Sequence, residues 1–310
     1  MASPAPILKL GTRRSPLAMA QAEEARARLC AAHGWPPEAI ELVPVLASGD
    51  RVQDRPLAEI GGKALWTREL DQWLADRRID AAVHSLKDVE TLRPERLALA
   101  AILPRADKRD VLIGATSLAG LAQGATIGTS APRRAAQALN ARPDCRVVVF
   151  RGNVATRLAR LAAGEADATF LAAAGLSRLG ETDVGHPLEL GDWLPAPAQG
   201  AIAIECRSDD TRARQWLGAI DHAPSRAEVT AERGLLAALG GSCHSPVAVL
   251  CDFADGMLAM RATLFSPDGA ERVDGVATFP ADDADAPARL AADLLARASP
   301  GIAAHFAGAR

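Results

Sequence analysis

One order of segments occurs twice in this chain and limits the folds open to it. An apolar run from Ile7 to Leu10 meets the turn Gly11-Thr12-Arg13-Arg14. Ser15-Pro16 then supplies a cap and first position for a helix that reaches about Ala32. Ile40 to Ala47 reads as a second strand. Leu65, Trp66, Leu70, Trp73 and Leu74 recur at helical spacing, and Asp80-Ala81-Ala82-Val83 begins a third strand. Later, Thr126-Ile127-Gly128-Thr129-Ser130 ends a strand and Pro132-Arg133-Arg134 opens a helix. Cys145 to Phe150 is a valine-rich strand, Asn153 caps a helix running to about Ala163, and Asp167 to Ala172 is a third strand. Both halves run strand, Gly-Thr turn, helix, strand, helix, Asp-Ala strand, without a fixed period. Alternating strands and helices build a sheet covered on both faces. The expectation is two similar doubly wound α/β domains across a cleft.

The remaining segments complete the plan. Ala201 to Glu205 is a strand too late for the second half to need. Paired back with the first half, it would create two chain crossings, a double hinge. Ser225 to Glu228 matches a capping box, opening a helix to Leu239 that Gly240-Gly241 ends. Val247 to Leu250, Met257 to Phe265 and Glu271 to Ala277 read as antiparallel strands, and Pro287 to Ala298 as a closing helix. The expected domains are 1–103 with 199–220, then 104–198, then a small α+β domain over 221–310.

Composition removes several function classes. A net charge of −3, aromatics at 4% and no Tyr do not suit a nucleic-acid binder. No apolar run reaches about eighteen residues, and Met1 to Leu10 lacks the pattern of a signal peptide, so a cytoplasmic chain with no membrane partner is expected. Five cysteines, with no C-x-x-C pair, suit a reducing compartment and point away from a disulfide framework or a metal site. A monomer is expected.

Chemistry concentrates where strands end. In Ala81 to Glu90, an apolar run stops at His84, Ser85, Lys87 and Asp88. Ligands in open α/β sheets bind beyond the carboxyl ends of strands, and a carboxylate there can stabilise a developing cation. Arg13, Arg14, Arg133, Arg134, Arg151 and Arg157 lie at or just inside strand-to-helix turns, and Arg178 follows the third strand of the second half. Helix amino termini and guanidinium forks both favour anions, so these positions read as a site for a substrate with several carboxylates. No phosphate-binding glycine loop is present. Cys243, in a loop after Gly240-Gly241-Ser242, reads as a nucleophile or an attachment point, whereas Cys30, Cys145, Cys206 and Cys251 read as structural. Ser48 to Gly62, charged and poor in apolar residues, reads as a mobile loop.

These segments together resemble the porphobilinogen deaminase (hydroxymethylbilane synthase) family. The match comprises GTRRSPLAMAQ from Gly11, GGKALWTREL from Gly61, VHSLKDVE from Val83, GTSAPRRAAQ from Gly128, RGNVATRL from Arg151 and AAGLSRLG from Ala173. PAPAQGAIAIECR from Pro195 and AERGLLAALGGSCHSPVA from Ala231 complete it, in family order. The resemblance implies a periplasmic-binding-protein-like pair of domains with a small third one. It also implies one covalent dipyrromethane cofactor per chain, joined by a thioether to Cys243. Asp88 is then the catalytic carboxylate, helping ammonia leave porphobilinogen and stabilising the azafulvenium cation. Four rounds and a hydrolysis would release hydroxymethylbilane for tetrapyrrole and haem synthesis. Matched by position, Ser15, Lys87, Asp88, Thr129, Ser130, Arg133, Arg134, Arg151 and Gly152 would hold the cofactor. Arg13, Arg157, Arg178 and Lys63 would hold substrate, Lys63 at the end of a family lid.

Four positions depart from the family pattern: Ala131 for Ser, Glu59 for a basic residue, Glu90 for Pro and Ala198 for Gly. A binding module of similar architecture would not need Cys243, and a transferase making a transient thioester would leave that thiol unmodified at rest.

Overall fold

A computed structural model describes residues 6–46 and 67–306. The expected loop from Ser48 to Gly62 lies outside the described residues, as do Glu59, Lys63, Leu65 and Trp66. The first strands and helices are β1 (Leu8–Arg13), α1 (Pro16–His33), β2 (Ile40–Val45), α2 (Arg68–Ala75), β3 (Ala81–Ser85) and β4 (Leu97–Ile102). Then come β5 (Asp110–Ile113), β6 (Thr126–Gly128), α3 (Pro132–Ala141), β7 (Arg146–Val148), α4 (Val154–Ala162), β8 (Ala168–Ala172), α5 (Ala173–Arg178) and β9 (His186–Pro187). The last are β10 (Ile202–Arg207), α6 (Thr211–Gly218), α7 (Ala223–Ala238), β11 (Val247–Ala254), β12 (Met257–Phe265), β13 (Arg272–Pro280), α8 (Ala286–Arg297) and α9 (Pro300–Ala303). Of the described residues, 6–46, 67–106 and 201–226 form one compact unit, and 107–200 with 227–306 form a second.

The first unit is built on a sheet in the order β2-β1-β3-β10-β4. β1 is parallel to β2 and β3, and β10 is antiparallel to β3 and β4. Side chains alternate across the sheet, so Ala81 and Val83 face α1 with Ala22, Ala25 and Leu29. Ala82 faces the other way, toward Leu70 and Leu74 of α2. With helices on both faces, the sheet is doubly wound. The expectation that the late strand returns to the first half is met by β10.

The second unit repeats this plan in the order β7-β6-β8-β5-β9, with β6 parallel to β7 and β8 and with β5 antiparallel to β8 and β9. Leu112, Ile127 and Phe170 pack with Ala138 of α3, while Val111, Ile113 and Leu171 pack with Val154, Leu158 and Leu161 of α4. The same unit carries the antiparallel sheet β11-β12-β13. One face of that sheet packs on α7 and α8 through Leu235, Leu236, Leu290 and Leu294. Its other face, with Ala248, Leu250 and Phe265, meets Ala136 of α3 and Leu194.

The Asp-Ala motif now has a physical reason. Lys9 N–H donates to Asp80 Oδ2 at 2.8 Å while Asp80 N–H donates to Lys9 O at 2.9 Å. In the second unit, Thr126 N–H donates to Asp167 Oδ2 at 2.7 Å and Asp167 N–H to Thr126 O at 2.8 Å. The same two-bond clamp thus sets first and third strands side by side in both sheets.

Three local expectations are corrected. β1 continues through Gly11, Thr12 and Arg13, where a turn was expected. The valine strand stops at Val148, because Phe150 tucks its ring beneath Gly128, where an added Cβ would lie 2.5 Å from the ring. Ser225 is no cap: α7 begins at Ala223, the Ser225 hydroxyl accepts from Arg105 N–H at 2.9 Å, and Glu228 pairs with Lys108 at 2.9 Å. Ser15 does cap α1, accepting from Ala18 N–H, and Asn153 caps α4, accepting from Thr156 N–H.

Candidate active site

In the first unit, β3 passes into a 3-10 turn, Leu86–Asp88. Leu86 is fully buried and its N–H donates to Ala201 O at 3.1 Å, which fixes the start of the turn. The side chains of Ser85 and Gln21 are hydrogen-bonded at 2.8 Å. Asp88 lines a small recess with Arg13, Ser15, Gln21, Thr67 and His84. Arg13 arrives from the end of β1 and Ser15 from the cap of α1, so the carboxyl ends of adjacent parallel strands bring these groups together. Lys87 belongs to the same turn. The recess is open to solvent on one side, so Asp88 can be reached from outside.

Behind that recess stands a buried cluster that the sequence reading missed. Glu205 on β10 is fully buried, and its Oε2 lies 3.2 Å from His84 Nε2 without the alignment of a hydrogen bond. Arg93 donates to both Glu205 oxygens at 2.9 Å, to Asp71 at 2.6 Å and to Glu90 at 2.6 Å. Burial alone would raise the Glu205 pKa, but His84 and Arg93 more than offset it and hold it at about 2. Burial dominates at Asp71, whose pKa is raised despite Arg93. A signal for Glu205 was available, since an acid inside the apolar run of β10 must find a partner. Glu90, the departure from Pro, has a task here: its Oε2 accepts from both Arg93 and Thr67.

In the second unit, Thr129, Ser130, Arg133 and Arg134 follow β6, Arg151 and Gly152 follow β7, and Arg178 lies on α5 after β8. All stand at the carboxyl ends of parallel strands. Gly152 takes φ +109° and an added Cβ would strike Thr156 at 2.6 Å, so the turn needs glycine. Arg157 Nε donates to Gly152 O at 3.1 Å, and Arg178 to Gly200 O at 3.3 Å. Thr129 is buried, and its hydroxyl accepts from Ala131 N–H. Ala131 has no hydroxyl to cap α3.

Arg133 and Arg134 differ from the expected open forks. Both are 5% exposed and share one carboxylate, Asp110, at 2.8 and 2.6 Å. Trp193 Nε1 and Gln199 Nε2 also donate to Asp110, at 2.8 and 2.9 Å. Burial would raise the Asp110 pKa, but the two guanidiniums drive it well below the carboxylate range. Burial pushes the Arg133 pKa down, with Asp110 opposing and Arg134 adding to the fall. Two guanidiniums against one carboxylate leave one net positive charge. Both Nε atoms are buried with no hydrogen-bond partner among the described residues. An acid-bearing group fits such a donor set, and a metal ion does not.

Cys243 lies exposed between α7 and β11, in a loop where Ser242 N–H donates to Ser245 Oγ at 3.0 Å. Cys145, Cys206 and Cys251 are buried and Cys30 is partly so. Burial pushes the Cys206 thiol up to about 11, which keeps it unreactive. Among the described residues, no group of three or more His, Cys, Asp or Glu is placed to hold a metal ion. Lys63 lies outside the described residues.

Ala198 has φ +59°, the left-handed region in which the family's glycine costs nothing. Its N–H donates to the buried Glu232, whose other oxygen accepts from Cys251 N–H.

The family model "Porphobilinogen deaminase, dipyromethane cofactor binding domain" matches residues 8–215, and "Porphobilinogen deaminase, C-terminal domain" matches residues 226–296. Porphobilinogen deaminase of Sphingopyxis alaskensis is 56% identical, covering 99% of both chains. That of Paracoccus denitrificans is 47% identical, covering 96% of both. Among solved structures, the periplasmic VFT2 domain of Bordetella pertussis BvgS aligns with TM-score 0.40 and 16% identity, over 74% of this chain and 92% of that one. A Salmonella typhimurium periplasmic binding protein with high arginine specificity aligns with TM-score 0.38 and 14% identity, over 70% and 92%. With family models and near-full-length relatives in accord, the chain belongs to the porphobilinogen deaminase family.

Proposed function

We propose that this chain is a hydroxymethylbilane synthase, joining four porphobilinogen molecules head to tail with loss of four ammonia molecules and releasing the linear tetrapyrrole by addition of water. The cofactor is dipyrromethane, which supplies the primer carbon to which the first unit is added. Cys243 is its attachment point, in a loop open to the reagent that must reach the sulfur. Arg133, Arg134, Arg151 and Gly152 are the groups proposed to hold it, with Ser15, Lys87, Asp88, Thr129 and Ser130. The unmatched positive charge beside Asp110 supports this for the first two. Arg13, Arg157, Arg178 and Lys63 are proposed to bind the acetate and propionate groups of substrate.

The observation that carries the chemical reading is Asp88, held at the carboxyl end of β3 in the recess that Arg13 and Ser15 share. Its carboxylate can accept from the substrate's aminomethyl ammonium, then face the cation left when ammonia departs. Unit charges about 4 Å apart at an effective dielectric near 20 attract by about 4 kcal/mol, roughly a thousandfold in rate. On this reading Asp88→Asn keeps the shape and the cofactor but loses about that factor in turnover. Intact mass of the purified protein reads the rest: an excess of two pyrrole units is expected, absent in Cys243→Ser. An unmodified mass in an active preparation would sink the reading, and normal turnover in Asp88→Asn would remove Asp88 from the chemistry.

Domains 1–103 with 199–220, 104–198 and 221–310 remain our proposed functional division, the third carrying the cofactor. We also infer a monomer, and a cytoplasmic location, the latter because a thioether-forming cysteine must be kept reduced. Among the described residues, no helix is long and apolar enough to cross a membrane.

A further inference from the structure

We propose that Arg93 is a positioning residue for the reaction, forming with Glu205, Asp71, Glu90 and Thr67 a brace that sets where the Asp88 carboxylate stands. The proposal rests on Asp88 being the catalytic carboxylate. Asp88 occupies a short chain segment that leaves β3 at Ser85 and rejoins the sheet only at Leu97, the start of β4. Its upstream end is held by Leu86, buried and bonded to Ala201 O. Its downstream end is held by Glu90, two residues past Asp88, through Arg93.

The brace uses every donor of the guanidinium. Nε and Nη2 form a fork to the two oxygens of Glu205 at 2.9 Å each. Nη2 also donates to Asp71 Oδ1 at 2.6 Å, and Nη1 donates to Glu90 Oε2 at 2.6 Å and to Thr67 Oγ1 at 3.4 Å. Thr67 Oγ1 donates in turn to Glu90 Oε2 at 2.9 Å. The partners come from β10, from the start of α2 and from the Asp88 segment itself, so one planar group ties three elements. The Arg93 side chain is 9% exposed and Glu205 is fully buried, which strengthens the bonds. Thr67 and His84, both touching this cluster, line the recess with Asp88. A lysine at position 93 could satisfy one or two of these partners but not the fork and both side bonds.

The test uses Arg93→Met, Arg93→Lys and Glu90→Ala in the holoenzyme, with kcat, KM, melting temperature and cofactor mass measured for each. Misplacing a catalytic group by about 1 Å costs up to about a hundredfold, so a fall in kcat of between about tenfold and a hundredfold is expected for Arg93→Met. KM and cofactor mass should be unchanged, and Arg93→Lys should recover part of the loss. Glu90→Ala removes one partly exposed tie and serves if Arg93→Met fails to fold; it should lower kcat with little change in melting temperature. Asp88→Glu, which already displaces the carboxylate, supplies the second background. There Arg93→Lys should cost a smaller factor than in the unaltered chain. Equal losses in both backgrounds, or a kcat for Arg93→Lys and Glu90→Ala equal to that of the unaltered chain, would overturn the brace. Normal turnover in Asp88→Asn would instead overturn the reading beneath it, whatever the Arg93 variants do.

Discussion

Asp110 offers the sharpest test of how the second unit is held together. Replacing it by Asn keeps the volume but removes the anion that Arg133 and Arg134 share at 2.8 and 2.6 Å. Four donors converge on its two oxygens: both guanidiniums, Trp193 Nε1 and Gln199 Nε2. The asparagine oxygen could still accept from one side, but its NH₂ would face donors on the other. Two guanidiniums, each 5% exposed, would then be buried without a counter-charge. Removing one partner of a buried pair costs about 3–5 kcal/mol, which for a unit of this size lowers the melting temperature by about 10 °C. Asp252→Asn is the control, since Asp252 is 59% exposed and its pair with Lys108 is worth no more than about 1 kcal/mol. Both variants are compared by thermal and urea unfolding followed by circular dichroism. If Asp110→Asn melts with the control, the buried cluster does not stabilise the fold as argued.

Ala198→Gly should stabilise the chain, because alanine at φ +59° costs about 1–2 kcal/mol while glycine loses roughly 0.5–1 kcal/mol more chain entropy. A lower urea midpoint would contradict that sign. Acid should act through Glu205 and Asp110, whose folded pKa values are depressed, the former to about 2. Their contribution is present above the ordinary carboxylate range and is lost as pH falls from about 4.5 toward 2. Asp71, raised by burial, works in the opposite sense. Stability should therefore hold from pH 7 to about 5 and decline below, and a decline complete before pH 5 would refute the assignment.

The repeated α/β plan was legible in the chain alone, because strand and helix periods, helix caps and glycine turns are local properties. Ser15 and Asn153 cap as their residue types require. The Asp80 and Asp167 clamps recur because each half solves the same pairing problem. Asp88 and Cys243, whose roles are our proposal, stand out because their surroundings in the chain are polar or glycine-rich rather than apolar. Which charges are buried, and with whom, depends instead on segments far apart in the chain. Arg133 and Arg134 look like any helix-start arginines until β5 brings Asp110 beneath them. Arg93 and Glu205 stand more than a hundred residues apart, and nothing local announces their fork. Ser225 and Glu228 have the spacing of a capping box, yet Arg105 and Lys108 claim them. The physical reason is common to all three. A polar group taken from water must find a partner, and which partner is nearest depends on how distant strands are ordered in the sheet.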